Sequence, residues 1–335
     1  MKKSLFFNYI ILIFSILIIS TCLSDCKKPE NPIKFPKGTF PDSVINLTEI
    51  NSTFDDYNIS LYQITANYPI IFSSNRKSSG GQFDLEQANI SFVFDQTNGI
   101  FTLSAKMGND LFLDKLINQA KTPGNDFGPY RLFSTTDGFE YLLLSSVNAE
   151  GNLDLYYLKN TPVYNSSQPA IAGPYPVKIL NTGFDDAYIS FNAMQDTAYF
   201  TSNRDGNFDI FLQKRPLEKD LASWFNLEYT ASTKVDSINS TSNDKCPFIF
   251  RNVMFFASDR PGGLGGFDLY YSILKNGKWS SPVNMGPDVN TSSDEYRPVI
   301  DFNPDFTNIY MMFSSNRPGG KGGFDLYFKG IELPK

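Results

Sequence analysis

One motif recurs five times along the chain, and a repeat of that kind limits the fold more than any single residue does. The copies occupy Phe72–Leu85, Leu144–Tyr157, Phe200–Phe211, Phe256–Tyr271 and Phe313–Phe328. Each reads as a strand, a Gly-rich turn and a second strand. The shared pattern is Phe-x-Ser-Asn-Arg, a turn rich in glycine, then Phe-Asp-Leu-Tyr. The arginines are Arg76, Arg204, Arg260 and Arg317, with Asn148 in the second copy. The anchoring aspartates are Asp84, Asp154, Asp209, Asp268 and Asp325, spaced 55 to 70 residues apart. A strand follows the glycines where a phosphate loop would need a helix, so the turn is a hairpin and not a phosphate cradle.

A weaker repeat precedes each motif. Asp56, Asp126, Asp186, Asp244 and Glu295 each open a short apolar stretch. A further strand lies between units, as in Tyr175–Leu180 and Ser281–Met285. Four strands per unit are the make-up of a propeller blade. The last unit ends after its third strand, with only Glu332–Lys335 left over. Residues 43–56 mirror 282–295, so the N-terminal piece supplies the missing outer strand and closes the ring. Closure removes the exposed sheet edges that invite aggregation. The expected fold is all-β: a single five-bladed β-propeller of four-stranded blades, closed by an N-terminal strand that completes the C-terminal blade. The blades are expected at 57–120, 121–182, 183–240, 241–290 and 291–335 plus 43–50. At roughly 58 residues they exceed the about 40–45 of WD-type units. The excess sits in insertions at 109–124, which reads as helical, and 215–232, which contains Trp224.

The motif resembles the "PD" repeats of TolB-like, WD40-like β-propellers over roughly residues 43–333. TolB-type rings usually have six blades, whereas the closure pattern here gives five. The resemblance implies a non-catalytic platform for protein interaction in a bacterial envelope.

The N-terminus fits that address. A basic start, Met1–Lys3, leads into an apolar run over Leu5–Ile19. At about 15 residues it is shorter than the roughly 20 of a spanning helix and reads as a signal peptide over 1–25. The residues before and after Cys26 resemble a lipoprotein signal of the Bacteroidetes type, with Cys22 as the alternative lipid-bearing residue. Residues 26–42 hold four prolines and read as a tether, so the propeller domain is expected over 43–335. With Cys26 lipidated, Cys246 is the last cysteine able to act, and no disulfide framework exists. The expected location is the cell envelope, lipid-anchored to the outer membrane, facing either the periplasm or the outside.

Composition narrows the chemistry. The 335 residues include no histidine, which excludes Ser-His-Asp and Cys-His sites and His-ligated zinc or iron. A net charge of -6 argues against a nucleic-acid partner. The motif arginines and aspartates read as structural, bonding turn backbone or pairing with each other or with adjacent blades. The Phe before each motif Asp reads as core between blades. The acids Asp56, Asp126, Asp186, Asp244 and Glu295 occupy equivalent positions and are expected as a ring at one mouth of the channel, joined by Asp55, Asp185 and Asp294. Such a ring would concentrate cations, or each acid would satisfy the N–H groups of its own loop. No cofactor is expected, although the ring leaves room for a divalent cation in the channel. The favoured function is a non-catalytic envelope lipoprotein that binds envelope proteins or glycans through one propeller face. The alternative is a glycan-binding or carboxylate-based glycan-cleaving propeller, in which two ring acids serve as acid and nucleophile.

Overall fold

The computed structural model describes residues 32–61, 68–160 and 170–334. The signal peptide, both candidate lipidation sites and the first part of the expected tether lie outside them.

Five sheets form the ring. The first blade holds β2 (Asp56–Leu61), β3 (Tyr68–Ser74), β4 (Asp84–Asp95) and β5 (Ile100–Met107). The second holds β6 (Asp126–Phe133), β7 (Glu140–Val147), β8 (Leu153–Asn160) and β9 (Ile171–Pro176). The third holds β10 (Asp186–Phe191), β11 (Thr197–Ser202), β12 (Asp209–Lys214) and β13 (Thr233–Lys234). In the fourth, β14 (Asp244–Phe250), β15 (Val253–Ser258) and β16 (Asp268–Lys275) are followed by two short outer strands. These are β17 (Lys278–Trp279) and β18 (Val283–Asn284), and both pair with β16. The fifth holds β19 (Glu295–Phe302), β20 (Ile309–Ser315) and β21 (Asp325–Ile331). Its outer strand is β1 (Ile45–Asn46), with Ile45 opposite Phe328 and Asn46 opposite Tyr327. The ring therefore closes through the N-terminal strand, as the mirrored sequence required.

Blade packing explains the strand sequences. Each sheet is sandwiched between two others, so a middle strand is buried on both faces and reads as a continuous apolar run. Thr197–Ser202, Val253–Ser258 and Ile309–Ser315 are buried at every position. The insertions fill gaps between blades. Helix α1 (Leu111–Ala120) starts at Asp110, whose side chain accepts the N–H groups of Phe112 and Leu113 at 2.8 and 2.9 Å. It buries Leu113, Leu116 and Ala120 against Ile71 and Leu85 of the first blade and Leu142 and Leu144 of the second. Helix α2 (Leu221–Phe225) buries Trp224 and Phe225 among side chains of the second and third blades.

Residues 35–40, which the sequence suggested as part of a tether, pack on the fold. Phe40 is 1% exposed and stacks on Phe306 with ring centroids 3.8 Å apart. Gly38 bridges to Phe306, and a Cβ there would lie 2.8 Å from both Phe94 and Phe306. Phe35 N–H donates to the Gln96 carbonyl at 2.9 Å. Burial of the Phe40 ring, about 2–3 kcal/mol, outweighs the disorder that the prolines suggested.

Candidate functional site

The inner strands β2, β6, β10, β14 and β19 pack side by side around the axis. Each opens with one of the five repeat acids. All five are fully buried, so they do not form an open negative funnel. Four are neutralised by the arginine of their own blade. Arg76 reaches Asp56 at 2.5 Å, Arg204 reaches Asp186 at 2.6 Å, Arg260 reaches Asp244 at 2.5 Å and Arg317 reaches Glu295 at 3.0 Å. The other carboxylate oxygen accepts a backbone N–H from the preceding loop: from Ser52 and Ser240 at 2.5 Å, Thr182 at 2.6 Å and Thr291 at 2.8 Å.

The motif arginines thus pair with the acids that open the inner strands of their own blades, and of the arrangements the sequence left open, pairing between motif Arg and motif Asp does not occur. Their guanidinium groups also donate to the Ile50, Leu180, Ile238 and Val289 carbonyls. The motif aspartates take other partners. Asp84 pairs with Lys121 at 2.6 Å and Asp209 with Lys234 at 2.5 Å. Asp268 accepts from Asn284, Asp325 from Asn46 and Asp154 from Asn148. In the third, fourth and fifth blades this ties the hairpin turn to the outer strand.

Asp55, Asp185 and Asp294 hold neighbouring blades together. Their Oδ1 atoms accept the N–H groups of Phe324, Leu153 and Phe267, each at 2.8 Å. Their Oδ2 atoms accept from Asn75, Asn203 and Asn316.

One residue further along each inner strand the repeat breaks down. The side chains there are Tyr57, Phe127, Ala187, Lys245 and Tyr296. They meet the residue before each motif Asp: Phe83, Leu153, Phe208, Phe267 and Phe324. Tyr57 lies 5.3 Å from Phe83, 5.8 Å from Phe127 and 5.5 Å from Phe324, ring to ring. Phe83 and Phe127 are 5.1 Å apart, and Phe267 meets Tyr296 edge-on at 5.3 Å. The Lys245 ammonium sits over the Phe208 ring at 3.7 Å, and burial pulls its pKa down. The four motif phenylalanines are half-buried, not sealed between blades as expected. Together these side chains form an aromatic collar at the channel mouth.

Below the collar, the next residue of every inner strand has positive φ: Asn58 59°, Gly128 56°, Tyr188 57°, Cys246 57° and Arg297 51°. A bulge in each inner pairing accompanies it. Three of these bulges are fixed to the preceding blade, through Asn58 N–H to Ser314, Tyr188 N–H to Ser145 and Cys246 N–H to Thr201. The bulge points Arg297 across the axis, where its Nη2 donates to the Pro129 carbonyl at 3.2 Å and its guanidinium lies 5.6 Å from the Tyr188 ring centre. Burial lowers the Arg297 pKa and pushes the Cys246 thiol up to about 11. The Arg297 guanidinium thus bridges inner strands of three blades near the axis. Among the described residues no cluster of three or more Cys, Asp or Glu side chains is arranged to hold a metal.

No protein-family model matches the chain, and no curated protein matches it. Solved structures do match. A thermostable family-43 glycoside hydrolase aligns with a TM-score of 0.53 at 11% identity, covering 86% of this chain and 93% of its own. An endo-arabinase from Bacteroides thetaiotaomicron aligns with a TM-score of 0.56 at 11% identity, covering 89% and 99%. The family-62 α-L-arabinofuranosidase domain of Coprinopsis cinerea aligns with a TM-score of 0.51 at 11% identity, covering 88% and 98%. Identities this low establish a shared five-bladed fold. They also correct the TolB-like assignment: the propeller stands, but its structural neighbours are family-43 and family-62 glycoside hydrolases.

The sequence reading missed the collar and the axial residues. The signal was their irregularity: within a repeated frame, the two positions after each acid read Tyr-Asn, Phe-Gly, Ala-Tyr, Lys-Cys and Tyr-Arg.

Proposed function

We propose that the protein binds glycans, holding sugar rings against the aromatic collar at its channel mouth. The collar carries this reading. The partly exposed rings of Tyr57, Phe83, Phe127, Phe208, Phe267 and Phe324 offer flat apolar faces of the kind a sugar's C–H face covers, with the Lys245 ammonium beside Phe208 supplying a cation. The like-folded structures support it, since they are named as an arabinase, an arabinofuranosidase and a family-43 hydrolase. This reading is better supported than a scaffold for envelope proteins.

Cleavage is the second reading, favoured by those same names. A glycosidase needs two carboxyl groups free to face the scissile bond, about 5–9.5 Å apart. Around this mouth, Asp55, Asp185 and Asp294 have both oxygens engaged, and the five strand-opening acids are sealed. Binding without hydrolysis therefore fits better. Anchoring to the bacterial envelope through Cys26, with Cys22 as the alternative, belongs to the same proposal. Palmitate labelling of Cys26→Ala and Cys22→Ala tests it, and labelling unchanged in both refutes it.

Calorimetric titration with arabino- and xylo-oligosaccharides tests the binding claim. Saturable binding is expected for the wild type and its loss for the Phe267→Ala/Phe324→Ala double variant. A wild type that binds none of them, or a double variant that binds as well, overturns the collar as the site.

A further inference from the structure

The second blade has an arginine socket but no arginine. In the other four blades the guanidinium meets the same surroundings. It pairs with the strand-opening acid, donates through Nε to the serine opposite that acid, and donates to the carbonyl six residues before it. In the fourth blade, for example, Arg260 Nε reaches Ser258 at 2.9 Å and Nη2 reaches Asp244 at 2.5 Å and the Ile238 carbonyl at 2.8 Å. In the third, fourth and fifth blades an aromatic ring two residues after the motif Asp lies against the guanidinium, whereas the first blade has Glu86 at that position. Arg204 sits 4.8 Å from Phe211, Arg260 4.9 Å from Tyr270 and Arg317 5.0 Å from Tyr327.

The second blade keeps the matching residues. Asp126 is the acid, Ser146 is the serine opposite it, Ala120 lies six residues before it and Tyr156 is the aromatic residue. The arginine position is Asn148, whose amide turns away to Asp154 at 3.0 Å. A cleft of about 480 Å³ opens there, lined by Lys121, Thr122, Ser146, Asn148, Tyr156 and Pro174 among others. Lys121 does not fill the socket, because its ammonium is committed to Asp84 at 2.6 Å. Asp126 has no cation partner within ion-pair distance among the described residues. Its Oδ1 accepts instead from the Thr122 hydroxyl at 2.8 Å, which also meets Ser146 at 2.5 Å. In the third blade the equivalent Thr182 bonds the other oxygen, Oδ2 of Asp186, at 2.7 Å and leaves Oδ1 to the arginine. A hydroxyl rotation at Thr122 would vacate the same oxygen. Asp154 Oδ1, beside the cleft, is buried without a hydrogen-bond partner and adds negative potential.

We propose that this cleft binds a guanidinium group supplied from outside the chain, paired with Asp126 and stacked on Tyr156. The group would come from an arginine side chain of a partner polypeptide or from a free guanidinium metabolite. The site is distinct from the collar, and neither reading depends on the other.

Thermal shift and NMR titration of the full chain with methylguanidinium test it, with methylammonium as the control cation. Methylguanidinium at low millimolar concentration is expected to raise Tm saturably, and methylammonium to do so far less. Asn148→Arg fills the socket from within. It should raise Tm by about 2–4 °C and abolish the methylguanidinium response. Asp126→Asn should abolish the response as well. The tripeptide Gly-Arg-Gly and free arginine separate the sources: tighter tripeptide binding points to a polypeptide partner, and equal or tighter binding of arginine points to a metabolite. The proposal is overturned if methylguanidinium gives no saturable response, if methylammonium matches it, or if Asn148→Arg folds and still responds.

Discussion

Two rings of side chains stand one residue apart at the same end of the propeller, and they behave in opposite ways. The strand-opening acids, Asp56, Asp126, Asp186, Asp244 and Glu295, recur in every blade and are fully buried in hydrogen bonds. The residues that follow them, Tyr57, Phe127, Ala187, Lys245 and Tyr296, do not recur, and most are partly exposed. In a molecule built from repeats, what is in register builds the ring. What breaks register differs from blade to blade and lies at the collar or, one residue further, is buried at the axis.

Removing a repeat acid is the strongest way to break this comparison. Asp244→Ala leaves the Arg260 guanidinium and the Ser240 N–H without their partner, and should cost about 3–5 kcal/mol of unfolding free energy in denaturant titration. A loss under about 1 kcal/mol would mean the acids are not structural. Arg260→Met strands the same acid from the other side. Its side chain is 15% exposed, so water replaces part of what is lost, and a cost of about 2 kcal/mol is expected.

Collar truncation should fall well below both. Phe267→Ala removes a half-buried ring and should cost about 1 kcal/mol while weakening oligosaccharide binding. A collapse of the fold would show the collar to be core. Arg297→Met is expected to change stability by less than about 1 kcal/mol, since a buried charge with Nε and Nη1 unpartnered gives way to an apolar chain.

The smallest effect sharpens the contrast within the acid ring. Burial raises the pKa of Asp126, which lacks the arginine. The folded state therefore holds its proton more tightly than the unfolded chain does. The resulting stabilisation is present below the ordinary carboxylate range and is lost as pH rises through the raised value. Asp126→Asn removes that dependence. Its stability relative to wild type should improve as pH rises from acidic toward neutral, and an opposite slope would contradict the assignment.

Much of the architecture was legible because strand, turn and strand recur as a unit. The mirrored residues 43–56 and 282–295 disclosed the closing strand, and the pattern before Ala120 disclosed the helix. The pairing of Arg204 with Asp186 was hidden, because Asp186 opens β10 and Arg204 lies in the turn after β11, and only the folded hairpin brings them together. The role of the motif phenylalanines was misread, since apolar character alone does not distinguish a ring between blades from one at the channel mouth. Phe40 was concealed by flanking prolines, and only the groove beside Phe306 and Phe92 explains its burial.

The most direct test of the account is an assay of reducing-end release from arabinan and xylan, run beside a binding measurement on the same polysaccharides. Binding without release is the expected result, with binding lost in Phe267→Ala/Phe324→Ala. Release by the wild type that disappears in Asp185→Asn or Asp294→Asn, with Tm unchanged, would show that these carboxylates do chemistry and contradict the claim that they build the ring.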